Sequence, residues 1–233
     1  MSHFDLAAVL SSPDFRAMLW TGIRFTAIVF AGSWLLGMAL AAVLLVIRLT
    51  PSTVAQRFVA GYVSYHRNVP TLVQLMLWYF GISNLLPDEL QAWLADHKGE
   101  AIFAVISLGL CQAAFFSEDM RSGLRGVASG QAEAARALGH SYVGSMRYVI
   151  LPQAIRNAVP ALVNHTVSLF KNSSLAMAIG VTELTHVVRE IESRSFRTFE
   201  VYAVGTALYL AVSLLLMALG AALARHYRLA AAR

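Results

Sequence analysis

The chain has 233 residues, 58% of them hydrophobic and only 13% charged, with a formal net charge of +5. A soluble domain is roughly 45–50% apolar and about 25% charged, so the composition excludes an ordinary water-soluble fold and points to an all-α membrane protein. The positive charge is almost wholly arginine and forms no long basic run with interleaved aromatics, which excludes nucleic acid as the partner; the lone cysteine, Cys111, excludes an intrachain disulfide and reads as a small buried hydrophobe.

Residues 1–15 carry Asp5 and Asp14 and no basic run, so no cleavable signal peptide is expected there. Ser12-Pro13-Asp14 reads as a helix start, with Pro near the first helical position. A membrane-spanning helix needs about 20 mostly apolar residues. Four windows carry no charge: Phe25–Ile47, Asn68–Pro87, Ala101–Ser117 and Val201–Ala224. A fifth, Asn157–Thr182, carries one, Lys171. Five transmembrane helices are therefore expected. Gly37 with Ala41, and Gly220 with Ala224, are small residues at helix-packing spacing, and Trp20, Trp78 and Trp93 lie near the expected span ends as interface anchors.

Arginine distribution sets the orientation. One side takes Arg48, Arg57, Arg67, Arg121, Arg125, Arg136, Arg147, Arg156, Arg225, Arg228 and Arg233. The other takes six cations and most of the acids, among them Asp88, Glu89, Asp96, Glu100, Glu183, Glu190 and Glu192. The first side is expected to be cytoplasmic, with the N-terminus outside and the C-terminus inside. The expected organisation is a periplasmic segment over 1–15, one transmembrane domain over 16–226 and a cytoplasmic tail over 227–233.

Between the third and fourth windows lies a polar island. Ala132, Ala135 and Leu138 fall at helical spacing, as do Val143, Met146 and Ile150. Gly139 stops the first limb, and Pro152 is expected to end the second at Leu151. The result is a helix, a glycine corner and a second helix, each limb with an apolar face that needs a partner. Glu133 and Arg136 have the spacing of an ion pair on the solvated face, worth about 0.2–0.5 kcal/mol.

Lys171 is the outlier among the windows. A charge at the bilayer centre costs ~2.5–3.5 kcal/mol on insertion scales, so it must face protein or water. At 100° per residue, Asn157, Asn164, Ser168 and Lys171 share a narrow arc, with Ser174 at its edge. Such a stripe fits a hydrated path or a subunit interface; interhelical hydrogen bonding that only holds the bundle is the other reading. Lys171 and Glu118, near the inner end of the third window, lie about two turns apart in depth, so an ion pair between them is open but not compelled.

No catalytic or metal pattern stands out. The seven histidines have no metal-ligand spacing, and there is no His-Glu-x-x-His or Gly-x-Ser-x-Gly. A P-loop needs Gly-Lys-Ser/Thr, and neither lysine, Lys98 nor Lys171, follows a glycine. ATP-driven work by this chain requires an ATPase on another polypeptide.

Glu133-Ala134-Ala135, then Gly139, then Ile150-Leu151-Pro152 resembles the EAA loop of the permease subunits of ABC importers. Arg67-Asn68-Val69-Pro70-Thr71-Leu72-Val73-Gln74 is similar to the family's entry to a span. Gly130-Gln131, Gln153-Ala154-x-Arg156 and Lys171-Asn172-Ser173-Ser174-Leu175 resemble its polar amino acid branch, and the short motifs look most like glutamate/aspartate permeases. Phe115 stands where the family often has Tyr, so no role there can rest on a tyrosine hydroxyl.

The resemblance implies a type I importer permease fold in a bacterial inner membrane, multi-pass. It implies that Glu133, Ala134, Ala135, Gly139, Leu151 and Pro152, within a cytoplasmic loop over 124–156, dock on the ATPase. Asn164, Ser168, Lys171, Asn172, Ser174 and Glu118 are the candidates for the translocation path. The implied partners are an ABC ATPase dimer holding ATP and Mg, a periplasmic amino acid-binding protein and a second permease subunit; no cofactor is expected on this chain. An ATP-independent carrier or channel subunit is the alternative.

Overall fold

The computed structural model describes residues 5–229, and among these every regular element is helical. Residues 1–4 and 230–233, which include Arg233 and the ends of both expected terminal segments, lie outside the described residues. A short α1 (Leu6–Leu10) precedes α2 (Pro13–Leu49). As the sequence leads one to expect, the Ser12 hydroxyl caps α2 by accepting from the Phe15 N–H, and Pro13 fills the first turn, where a missing donor costs nothing. Next come α3 (Thr53–Asn68), α4 (Thr71–Met76), α5 (Asp88–Asp96) and α6 (Gly99–Arg125). The polar island forms α7 (Gly130–Ala137) and α8 (Tyr142–Ser145), followed by α9 (Leu151–Asn172), α10 (Leu184–Ser195) and α11 (Thr198–Leu229).

Among the described residues, three helices are long and apolar enough to cross a membrane by length and composition alone: Pro13–Leu49, Gly99–Arg125 and Thr198–Arg225. The central one is α6. Ser33 and Gly37 of α2 meet Val105 and Gly109 of α6, so those two helices run parallel. The Tyr62 hydroxyl of α3 donates to the Leu110 carbonyl, and α3 starts beside Leu124, so α3 is antiparallel to α6. α9 is antiparallel too, with Ala154 beside Gly123 and His165 beside Gln112. α11 then returns along α9, Gly220 against Val163. Two of the small residues at packing spacing, Gly37 and Gly220, are thus points of close helix contact, and Ala41 is fully buried.

The second window needs correction. The helical path does not start at Asn68 but at Thr53, and it breaks at Val69-Pro70 in its middle. Val69 is extended, φ −93° and ψ 132°, as a residue before proline must be. The carbonyls freed by the break are satisfied by Gln74, which is buried: its amide donates to the His66 and Val69 carbonyls at 3.1 and 2.8 Å. The path continues as a π-turn, Leu77–Ile82, and a 3-10 turn, Ser83–Leu85. An uncharged window misses the first half because Arg57 and Arg67 lie there. Arg67 consequently does not sit at the basic end. It lies beside the midpoint of α6, its guanidinium 5.7 Å from the centre of the Phe115 ring. Trp78 packs inward on the core rather than anchoring at an interface, whereas Trp20 and Trp93 are exposed.

The core has three parts. Leu75, Phe103, Leu108 and Leu169 centre one on the first half of α6. Leu44, Val59, Val63 and Ala113 form a second between α2, α3 and α6. The third joins α10 to both long terminal helices through Leu19, Val187, Ile191 and Val201. The uncharged windows give no helix over α10. Glu183 starts it, fully buried, with its carboxylate accepting from the Thr185 and His186 N–H groups and from the Tyr209 hydroxyl. Burial pushes this carboxyl above the usual range, against the pull of those donors.

Candidate functional site

The polar island folds as a hairpin of helices whose corner is set by one residue. Gly139 has φ +86°, in the left-handed region that glycine enters without penalty. Its N–H donates to the Arg136 carbonyl at 3.0 Å, and the His140 N–H donates to the Ala135 carbonyl at 3.1 Å. Together these two bonds make the Schellman end of α7. Two residues later the Ser141 hydroxyl accepts from the Gly144 N–H at 3.1 Å and starts α8. The corner is therefore capped on both sides, and the Ser141 cap is legible as a serine directly before an apolar helical pattern.

Pro152 does not end the second limb. Residues Met146–Ile150 widen into a π-turn in which the Leu151 N–H bonds to the Met146 carbonyl, and α9 follows without a break. A proline has no N–H and its ring clashes with the carbonyl four residues back. A wider turn removes that carbonyl from the ring, so the helix passes through Pro152 instead of stopping. The corner is consequently joined to α9 by one helical path. Across the hairpin the Gln153 amide donates to the Gln131 side-chain oxygen at 3.2 Å, tying the root of α9 to the start of α7.

The apolar faces divide. Ala135 is buried against the hairpin's own second limb, and Ile150 is also buried, while Leu138, Tyr142, Val143 and Tyr148 are 81, 75, 69 and 65% exposed. Four large apolar side chains thus stand clear of the chain around one glycine corner. Glu133 and Ala134 are exposed on α7, and Leu151 is 45% exposed at the root of α9. Among the described residues Glu133 and Arg136 form no ion pair; the Arg136 Nε instead donates to the Ala132 carbonyl.

On α9 the polar arc faces outward. Asn157, Asn164 and Lys171 are exposed and Ser168 is half-buried. The Asn157 amide donates to the Gly123 carbonyl at 3.3 Å. Lys171 and Ser174 line a cavity of about 570 Å³ between α9, α10 and α11, with Thr185, Tyr202, Thr206, Tyr209 and Ser213 as its other polar walls. Asn172, half-buried, is the last residue of α9. The structure does not bring Glu118 to this group. Its carboxylate pairs with Arg48 and Arg121, so the alternative of a Lys171–Glu118 pair is not realised.

Two residues that sequence reasoning does not single out stand beside the stripe. His165 Nδ1 lies 2.6 Å from Asp119 Oδ2, linking α9 to α6, and the His165 ring packs on Phe115 at 5.0 Å. The available signal is Asp119 inside an otherwise apolar helix, masked by its acidic neighbour Glu118. Gly123 is the other. A Cβ there would meet the Ala154 carbonyl at 2.5 Å and the Ala158 N at 2.9 Å, so α6 and α9 touch backbone to backbone just below the hairpin.

Residues 33–229 match the family described as "Binding-protein-dependent transport system inner membrane component". The chain is 28% identical over 230 residues to the glutamate/aspartate import permease protein GltJ of Escherichia coli (strain K12), covering 95% of this chain and 92% of that one. It is 33% identical over 183 residues to the nopaline transport system permease protein NocM of Agrobacterium fabrum (strain C58 / ATCC 33970), 78% and 76% of the two chains. Its fold superposes with a TM-score of 0.83 on a chain of an amino acid ABC transporter crystallised with histidines, at 28% identity, covering 97% of this chain and all of that one.

Proposed function

We propose, since this chain belongs to the family of binding-protein-dependent transport system inner membrane components, that its glycine-cornered hairpin couples an amino acid path to ATP hydrolysis on another subunit. The chain is an amino acid ABC transporter permease of the bacterial inner membrane, all-helical and multi-pass. Coupling, path and partners are the parts this reading adds to that identity.

The observation that carries the coupling role is the exposed quartet Leu138, Tyr142, Val143 and Tyr148 around Gly139. Such a patch on a polar segment marks a protein contact. Its partner in this reading is an ABC ATPase, present as a dimer and holding ATP and Mg, since this chain has no Gly-Lys-Ser/Thr. Glu133, Ala134, Ala135 and Gly139 form the docking limb and its corner, while Leu151 and Pro152 pass the displacement into α9. Closure of the ATPases tilts the hairpin, and α9 moves with it because the helical path is unbroken.

The path itself is assigned to the outward face of α9: Asn164, Ser168, Lys171, Asn172 and Ser174. A charged and amide-rich stripe exposed on a membrane helix requires water or another protein, so a second permease subunit, identical or paralogous, is placed across it. Five crossings are supported by the alternating directions of α2, α3–α4, α6, α9 and α11. An odd number sets the two termini on opposite sides, and the arginine excess at the hairpin end supports the N-terminus outside with the hairpin and C-terminus in the cytoplasm. A periplasmic amino acid-binding protein supplies the outer face. Similarity to a glutamate/aspartate permease and the Lys171 ammonium favour a polar or acidic amino acid.

The test is reconstitution of the complex purified from native membranes by a tag on this chain. A co-purifying protein with a Gly-Lys-Ser/Thr loop, and uptake of labelled glutamate or aspartate only with ATP and the binding protein, are expected. Uptake that runs on an ion gradient without any ATPase would overturn the coupling role.

A further inference from the structure

The arginines at the hairpin end of the bundle are not spread evenly. Arg48 from the last turn of α2, Arg57 from the second turn of α3, and Arg121 and Arg125 from the last two turns of α6 line one cavity of about 430 Å³. Its other walls are largely apolar, Leu45 and Leu124 among them. One carboxylate answers these four cations: Glu118 pairs with Arg48 and Arg121. Arg57 and Arg125 are exposed and have no ion-pair partner among the described residues. The helix dipole accounts for a cation at the end of α2 and of α6, but not for Arg57, which stands near the start of α3. Val54 and Phe58, flanking Arg57, are 79 and 67% exposed, and Leu49 is 55% exposed. A basic cleft thus opens between exposed apolar side chains.

We propose that this cleft between α2, α3 and α6 binds the phosphodiester headgroup of an anionic phospholipid. The headgroup phosphate sits between Arg57 and Arg125, and its acyl chains lie along the exposed apolar side chains of α2 and α3. Basic pockets between transmembrane helices at this level favour anionic lipid headgroups. A soluble phosphate shares the charge chemistry but has nothing to place on Leu49, Val54 and Phe58. The site lies on the same end of α6 that leads into α7, so an occupied cleft braces the bundle where the hairpin attaches. This inference rests on the orientation proposed above, with the hairpin end of the bundle in the cytoplasm, and it stands apart from the coupling and substrate assignments.

The experiment is native mass spectrometry of the intact transporter, with a fluorescent cardiolipin titration alongside. Each arginine near an anionic surface contributes roughly a factor of five in affinity, so Arg57→Gln with Arg125→Gln should weaken cardiolipin binding about 30-fold. Arg57→Lys with Arg125→Lys keeps the charge and should bind within a few-fold of the parent, which separates loss of charge from loss of fold. Ala60→Trp, which fills the cleft with all four arginines in place, should also release the lipid. Phosphatidylcholine should not bind, and millimolar inorganic phosphate should not displace the lipid. Equal cardiolipin binding by the parent and the double glutamine variant overturns the proposal. So does displacement by inorganic phosphate alone, which would make the cleft a soluble-anion site.

Discussion

Gly123 of α6 and Ala154 of α9 are in backbone contact, so close that a methyl on Gly123 would stand 2.5 Å from the Ala154 carbonyl oxygen. The contact lies where the hairpin joins the bundle, and the Asn157 amide bonds the Gly123 carbonyl one turn further along α9. α9 is therefore held at its root on three sides: by Gly123, by Asn157 and by the Gln153–Gln131 bond across the hairpin. Above this root the helix is held again, by the Asp119–His165 pair, by the Gln112 amide on the His165 carbonyl and by the Trp34 indole on the Thr166 hydroxyl, while Asn164 and Lys171 are exposed. On the proposed coupling role, a displacement of the hairpin would enter α9 through this root.

Gly123→Ala should separate α6 from α9, because the obstructing atoms are backbone and cannot rotate away. Overpacking of this kind costs about 1–3 kcal/mol. The unfolding midpoint of the detergent-solubilised complex should fall, whereas Gly130→Ala, a site with open space around it, should leave it in place. Equal midpoints for the two variants would mean that the crossing is looser than the geometry shows.

Gly139 presents the opposite case. An added Cβ meets nothing within 4 Å, so only the left-handed backbone resists substitution. Gly139→Val should cost about 1–2 kcal/mol at the corner and redirect the second limb without unfolding the bundle. The expected result is normal abundance in the membrane, retained ATP hydrolysis and import reduced about tenfold or more, as ~1.4 kcal/mol of lost coupling produces. Gly139→Asn, which tolerates the same backbone, should restore most of the import. Wild-type import by the valine variant would remove the corner from the mechanism.

The exposed quartet predicts where the affinity for the ATPase lies. Buried aromatic anchors at an interface each contribute about 2 kcal/mol or more, so Tyr142→Ala with Val143→Ser should weaken ATPase association by about 30-fold. Sedimentation or pull-down against the purified ATPase measures this. Glu133, exposed and without an ion pair among the described residues, is free to meet the ATPase, so Glu133→Gln should also weaken association. Retained association by the double variant would place the contact elsewhere on the loop.

These features differ in how far the sequence reveals them. Local rules find the Ser12 cap, the Gly139 corner and the polar arc of α9, because each depends on residues within a turn or two. Pro152 misleads for the same reason. A local rule sees a proline that stops a helix, whereas the folded chain widens one turn and continues. The start of the second helical path is lost because an uncharged window cannot include Arg57 and Arg67, although Arg67 lies against Phe115 in the folded bundle. The Asp119–His165 pair joins positions 46 apart, and no periodicity connects them.

That pair supports a coupling measurement. Asp119 is buried and its partner ring is braced by Phe115, so Asp119→Ala leaves the His165 donor facing a hole. The bond is part-buried, and a hydrogen bond of this kind contributes about 0.5–1.5 kcal/mol. His165→Phe in the Asp119→Ala background should cost much less than the sum of the single changes, giving an interaction energy of about 0.5–3 kcal/mol in a double-mutant cycle. Additive losses would show that the two side chains do not act as a pair.

Lys171 separates a path from a packing stripe. If the stripe only held helices together, removing its charge would leave import intact. In a path the ammonium meets a carboxylate of the passing amino acid, and a charge-assisted bond is worth about 1.5–3 kcal/mol. Lys171→Met should then lower import roughly 10- to 100-fold, while Lys171→Arg keeps a measurable fraction of it. Insertion should not suffer, because the change replaces an exposed charge by an apolar side chain; an unchanged unfolding midpoint with lost uptake is the expected signature. The neighbouring walls sharpen the comparison. Ser213→Ala, in the same cavity on α11, removes a hydroxyl without touching the charge, so a defect confined to Lys171 assigns the effect to carboxylate recognition. Unchanged import by the methionine variant would return the whole arc, Asn164 included, to the role of a helix-packing surface.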